Sequence, residues 1–137
     1  MSSPHELMVA ELQSTVVSKL RAQGFKGSYP HFRRFVGNRV DLLTFQHDKW
    51  GRGFVLEIAR ATAEGVTRHW GEVISANKIT AHDLHPSERK RIKPREGPGT
   101  DSWFRYDQGQ FRACAAQVLE LLPRAEAWWS EAPSRKN

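Results

Sequence analysis

Asp41 and Glu57-Ile58-Ala59-Arg60 have the residue types and spacing of the acidic pair and basic residue of a metal-dependent nuclease, where two carboxylates would share a divalent cation. The final position is Arg60 where such a site uses lysine, and a guanidinium keeps its proton and cannot act as a base. Two carboxylates so spaced also arise readily by chance in a chain with 15 acidic residues, so exposed strand charges are the plainer reading. His82-Asp83-Leu84-His85 offers two imidazoles that one face of a helix could aim at a metal. Pro86 biases His85 away from helical angles, so the two rings are expected to diverge. Histidines 5, 31, 47 and 69 are scattered, and no cysteine joins any of them. His47-Asp48 beside Gln46 could exchange protons, but no serine or cysteine on a glycine elbow accompanies the pair. Cys114 is the single cysteine, which excludes an internal disulfide; it falls on an apolar helix face, where a small buried thiol is expected. No catalytic residue, metal ligand or cofactor is expected from these patterns.

The elements that would position these residues are legible around them. Tyr29 to Val36 and Val40 to His47 flank Gly37-Asn38, with glycine first as in a type II′ hairpin. Trp50-Gly51-Arg52-Gly53 reverses the chain again, and Phe54 to Ile58 is β-branched and aromatic enough for a third strand. Ser3-Pro4-His5-Glu6 is a capping box with proline at the first helical position, and Met8, Leu12, Val16 and Leu20 then recur every four residues. This predicts a helix from Pro4 to Gln23, ended by Gly24 with Phe25 folding back. Asp107 is expected to cap a second amphipathic helix carrying Phe111, Cys114, Ala115, Val118, Leu119 and Leu122. Pro123 then either kinks it or starts a separate short helix. Between these, Val66 to Ile74 fits a short helix interrupted by glycines, and Ile79 to Leu84 a fourth strand. Arg89 to Lys93 is expected as a basic strand in a long loop closed by Gly97-Pro98-Gly99, and Trp103 to Tyr106 as a final strand. The fold class is α+β: a twisted antiparallel sheet of about four to five strands, covered on one face by an N-terminal and a C-terminal helix. One domain over 1–129 and a disordered tail over 130–137 are expected.

Charge is the other strong signal. The chain has 21 Lys+Arg against 15 Asp+Glu, and every charged residue between Val17 and Val40 is basic. A second basic run holds Arg89, Lys90, Arg91, Lys93 and Arg95. Trp50, set between Lys49 and Gly51-Arg52 in a turn, is hard to bury and could anchor a partner or stack on a base. The expected recognition surface is Arg33, Arg34, Trp50 and Arg52 together with Arg89, Arg91 and Lys93, facing an acidic protein or nucleic acid. A solvated basic face with no ligand is the competing reading. The first ten residues lack the apolar run of a secretory signal, and no stretch reaches the length of a membrane span, so a cytoplasmic location is expected, as monomer or homodimer.

Leu20-Arg21-Ala22-Gln23-Gly24-Phe25-Lys26, Phe32 and Phe35, Phe45-Gln46 with Trp50-Gly51, Arg89 with Arg91-Ile92, and Asp101-Ser102-Trp103-Phe104 occur in an order that resembles DUF4304, a family of small bacterial domains of unknown function. The chain departs from that pattern at Lys93, where glycine is common, and at Ser102-Trp103, where paired tryptophans are usual. The resemblance implies an α+β domain with no established chemistry, some of whose members lie near toxin systems. The combined expectation is a non-enzymatic protein-binding domain, in its specific form an immunity-type protein that occludes a toxin. A nucleic-acid-binding protein is the alternative, and a metal-dependent nuclease the third reading.

Overall fold

The computed structural model describes residues 2–95 and 100–131. Helix α1, Pro4–Leu12, opens on the expected capping box: the Ser3 hydroxyl accepts from the Glu6 amide at 3.1 Å, and the Glu6 carboxylate accepts from the Ser3 amide at 2.9 Å. The rod continues to Ala22 but is not uniformly α-helical. A π-helical turn, Gln13–Val17, separates α1 from α2, Ser18–Ala22. The hydroxyls of Ser14 and Thr15 both donate back to the Glu11 carbonyl, at 3.1 and 2.8 Å, in competition with the ladder amide. Gly24 at φ 98° ends the rod, and the Phe25 amide returns to the Leu20 carbonyl at 3.0 Å.

Among the described residues eight strands follow: β1 Lys26–Ser28, β2 His31–Val36, β3 Arg39–His47, β4 Gly53–Thr62, β5 Val66–Thr67, β6 Val73–Ile74, β7 Arg89–Ile92 and β8 Phe104–Arg105. Six form one antiparallel sheet in the order β1-β2-β3-β4-β7, with β8 paired to β4 beyond the end of β7. The β2–β3 turn has Gly37 at φ 60° and Asn38 at negative φ, the signs of a type II′ turn. β1 was not foreseen, because Lys26-Gly27-Ser28 has no strand propensity of its own and pairs only by tertiary contact with β2.

Three further expectations are corrected. Val66 to Ile74 is the β5–β6 hairpin, not a helix. Gly65 at φ 89° enters it so tightly that a Cβ there would lie 2.3 Å from the Ile74 carbonyl oxygen. Ile79 to Leu84 is not a strand; 3₁₀ turns at Ala76–Lys78 and Ala81–Asp83 occupy that region, and the Asp83 carboxylate accepts from the Thr80 amide at 2.9 Å. Asp107 does not cap the last helix. A turn closed by Gly109 N–H to Tyr106 C=O separates the two, and α3, Phe111–Ser130, starts after Gln110. Pro123 lies within this single helix. The tail expected from residue 130 begins with helical Ser130, while residues 132–137, like the Gly97-Pro98-Gly99 loop end, lie outside the described residues.

α1, α2 and α3 cover one face of the sheet. Met8, Leu12, Leu20, Val118, Leu122 and Trp129 pack there with Leu43, Phe45, Phe54, Leu56 and Ile58. The other face carries a second, smaller apolar layer, with Val40, Leu42 and Ala59 under Ile79, Ala81 and Leu84. No helix among the described residues is long and apolar enough to cross a membrane.

Candidate functional site

Side chains alternate between faces along each strand, and this alternation divides the charged residues. Arg33 and Arg34 are consecutive, so they point opposite ways. Arg34 lies on the helix face and donates to Asp41 at 2.7 and 3.0 Å and to both Glu126 oxygens at 2.7 and 3.0 Å. Its guanidinium also lies 4.5 Å from the Phe25 ring centre. Arg39 completes the cage around Asp41 at 2.7 and 3.1 Å. Burial opposes the charge of Arg34, but the bonds to Glu126 and Asp41 outweigh it and hold the guanidinium proton more tightly than usual. Arg33 faces the other side, where it donates to the Ile79 carbonyl at 2.9 and 3.2 Å and fastens the 3₁₀ segment to β2.

Glu57 belongs to that second face. It stands opposite Thr44 on β3 and Arg91 on β7, and Thr44 in turn stands opposite His31 on β2. His31, Thr44, Glu57 and Arg91 therefore form one polar row across four strands. The His31 Nδ1 bonds the Thr44 hydroxyl at 2.9 Å. Around the buried Glu57 carboxylate stand His82 Nε2 at 3.7 Å, an Arg89 guanidinium nitrogen at 3.5 Å and Arg91 Nε at 3.9 Å, all longer than good hydrogen bonds. Arg89 Nε is buried with no hydrogen-bond partner.

Asp41 and Glu57 thus sit on opposite faces of the sheet and cannot share a metal ion, so the nuclease-like pair does not form. Arg60 caps the end of α3, donating to the carbonyls of Trp128 at 3.0 Å, Trp129 at 3.2 Å and Glu131. His82 turns toward Glu57 and His31, whereas His85 Nδ1 accepts from the Ser87 amide at 3.1 Å. Among the described residues no three of His, Cys, Asp and Glu come together as a metal-holding group. Burial raises the Cys114 thiol to about 12, so it stays protonated.

The tight turn between β3 and β4 is different in character. Asp48 is consumed in building it, accepting from the Arg52 amide at 2.8 Å and the Gly53 amide at 3.4 Å. Trp50 projects from the turn with 66% of its surface exposed. The Lys49 ammonium lies 5.0 Å and the Arg52 guanidinium 6.0 Å from its ring centre, and neither cation has an ion-pair partner among the described residues.

Beside the turn, β3 outruns β2, leaving a groove of about 390 Å³ lined by His5, Tyr29, His31, Thr44, His47 and His82, among others. Four of the six histidines meet there, from positions whose sequence spacing carries no signal. His47 is not paired with Asp48. Its Nε2 bonds the Tyr29 hydroxyl and its Nδ1 the Tyr106 hydroxyl at 3.0 Å, so one nitrogen donates and the other accepts. Burial, then His5, lowers the His47 pKa to about 4, and burial raises Tyr106 to about 12.

The expected recognition surface does not assemble. Arg33 and Arg34 are spent internally on β2, Arg89 and Arg91 lie on β7 beside Glu57 of β4, with two strands between them and β2, and Lys93 donates to the Thr100 carbonyl at 3.4 Å. Trp50 and Arg52 remain together, joined by Lys49, whose place beside the aromatic was the available signal. No curated protein and no solved structure matches the chain at a significant level. The family model described as domain of unknown function (DUF4304) matches residues 16–132, which take in the whole sheet, the Trp50 turn and α3, and the chain therefore belongs to the DUF4304 family.

Proposed function

We propose that the protein is a non-enzymatic binding domain that docks an acidic protein surface through the Trp50 turn. The observation that carries this is the solvent-facing indole with two cations beside it, neither in an ion pair among the described residues, while the Asp48 carboxylate accepts from the turn's own amides. An exposed tryptophan is an effective interface anchor, and cations around it favour an acidic counterpart. The specific form is an immunity-type protein that occludes a toxin one to one. The test is affinity capture from native lysate with the wild-type protein and with Trp50→Ala and Lys49→Glu/Arg52→Glu variants, each split with and without nuclease. A nuclease-resistant, near-stoichiometric protein that the variants lose, and whose purified form binds Trp50→Ala about tenfold more weakly, supports the reading. Material that disappears with nuclease overturns it in favour of phosphate contacts, which would weaken steeply with salt.

A further inference from the structure

The geometry points to the histidine-lined groove as an acceptor for a carboxylate side chain of the acidic partner, with His31 and His82 taking up protons as it binds. This rests on the Trp50-turn reading and extends it to a neighbouring subsite. Gly51 of that turn packs against His5, with a Cβ there only 3.6 Å from the His5 Cβ, so a partner seated on Trp50 reaches the groove mouth. Among the described residues, no carboxylate, lysine or arginine lines the groove. Its ring nitrogens are not equivalent. Both nitrogens of His47 are used by tyrosines, and His31 Nδ1 by Thr44, which leaves His31 Nε2 and the exposed rings of His5 and His82 to meet an incoming group.

The charges around the two acting imidazoles set the sign. His31 faces Thr44 from β3, His82 and Asp83 from the 3₁₀ turn and Arg33 from its own strand; burial first, then His82 and Arg33, lower its pKa in the free protein. His82 faces His31 and, on β4, Glu57, whose charge is shared with Arg89 and Arg91 of β7. A carboxylate placed between the rings favours their protonated forms, so binding draws in protons and tightens as the pH falls.

The experiment is calorimetric titration of the full chain with a hexaglutamate peptide at pH 8 and pH 6, with EDTA present. The wild type is expected to bind about tenfold more tightly at pH 6, and a His31→Gln/His82→Gln variant to lose that gain. Histidine ring NMR gives an independent readout, with the His31 midpoint, lowered in the free protein, moving up on adding peptide. A His82→Gln single variant, altered at an exposed ring, serves if the double variant does not fold. Equal affinity at both pH values, or a gain retained without these histidines, overturns the proposal. So does a gain seen only when EDTA is replaced by zinc, which assigns the groove to a metal. Trp50→Ala binding as well as wild type at both pH values overturns the Trp50-turn reading instead.

Discussion

The two faces of the sheet treat their buried acids differently. On the helix face, Asp41 is fully inaccessible and receives four guanidinium hydrogen bonds between 2.7 and 3.1 Å. On the other face, Glu57 has the guanidinium groups of Arg89 and Arg91 at 3.5 and 3.9 Å and the His82 ring at 3.7 Å, none at the distance of a good hydrogen bond. The helices bring long, closely fitted side chains such as Trp129 and Glu126 that close around Arg34, whereas the 3₁₀ segment covers its face with Ile79, Ala81 and Leu84 and leaves polar groups slack. Asp41 reads as architecture; Glu57 lies where something can still be exchanged.

The comparison breaks most severely at Asp41. Asp41→Asn leaves Arg34 and Arg39 without their buried counter-charge and is expected to cost about 3 kcal/mol in urea unfolding. A smaller effect sharpens the picture of the helix face. His47 is neutral there with a pKa near 4, below the ordinary imidazole value it regains on unfolding, so the unfolded chain binds the extra proton. Stability from this group is complete above about pH 6.5 and is lost as the pH falls toward 4, a change on the order of 2 kcal/mol after discounting for partial exposure. His47→Gln should flatten that part of the unfolding-energy profile. Glu57→Gln, removing a charge that makes no short bonds, is expected to cost only about 1 kcal/mol; a loss equal to that of Asp41→Asn would erase the distinction between the faces. Trp50→Ala, at a site outside both layers, should shift stability by less than about 0.5 kcal/mol while weakening partner binding.

Much of the scaffold was legible because its signals are local. The capping box, the Gly24 stop and the Gly37-Asn38 turn each state their geometry within four residues, and the sheet and its helical cover followed. The β5–β6 hairpin and the 3₁₀ turns were not legible, since two-residue strands and isolated turns have no periodicity to read and are held by contacts with distant residues. The site divides the same way. Trp50 stood out from its flanking charges and turn, but the basic clusters misled, because charge along a sequence does not reveal which arginine finds a buried acid. Arg34 meets Glu126 across 92 positions, and the groove draws its imidazoles from residues 5, 31, 47 and 82.

The π turn in the first rod has a consequence for chain length. Apolar residues every four positions drift by about 40° per step on a regular helix, so Met8 and Leu20 would diverge by about 120°. The wide turn at Gln13–Val17 absorbs nearly one residue's rotation, about 100°, and brings Met8, Leu12, Val16 and Leu20 back onto one fully buried line, with Val17 beside them. The rod therefore carries one residue more than its buried stripe requires. Excising exposed Ser14 is expected to leave a shorter, regular helix with the same side chains against the sheet, so a deletion inside the rod should be tolerated at this turn.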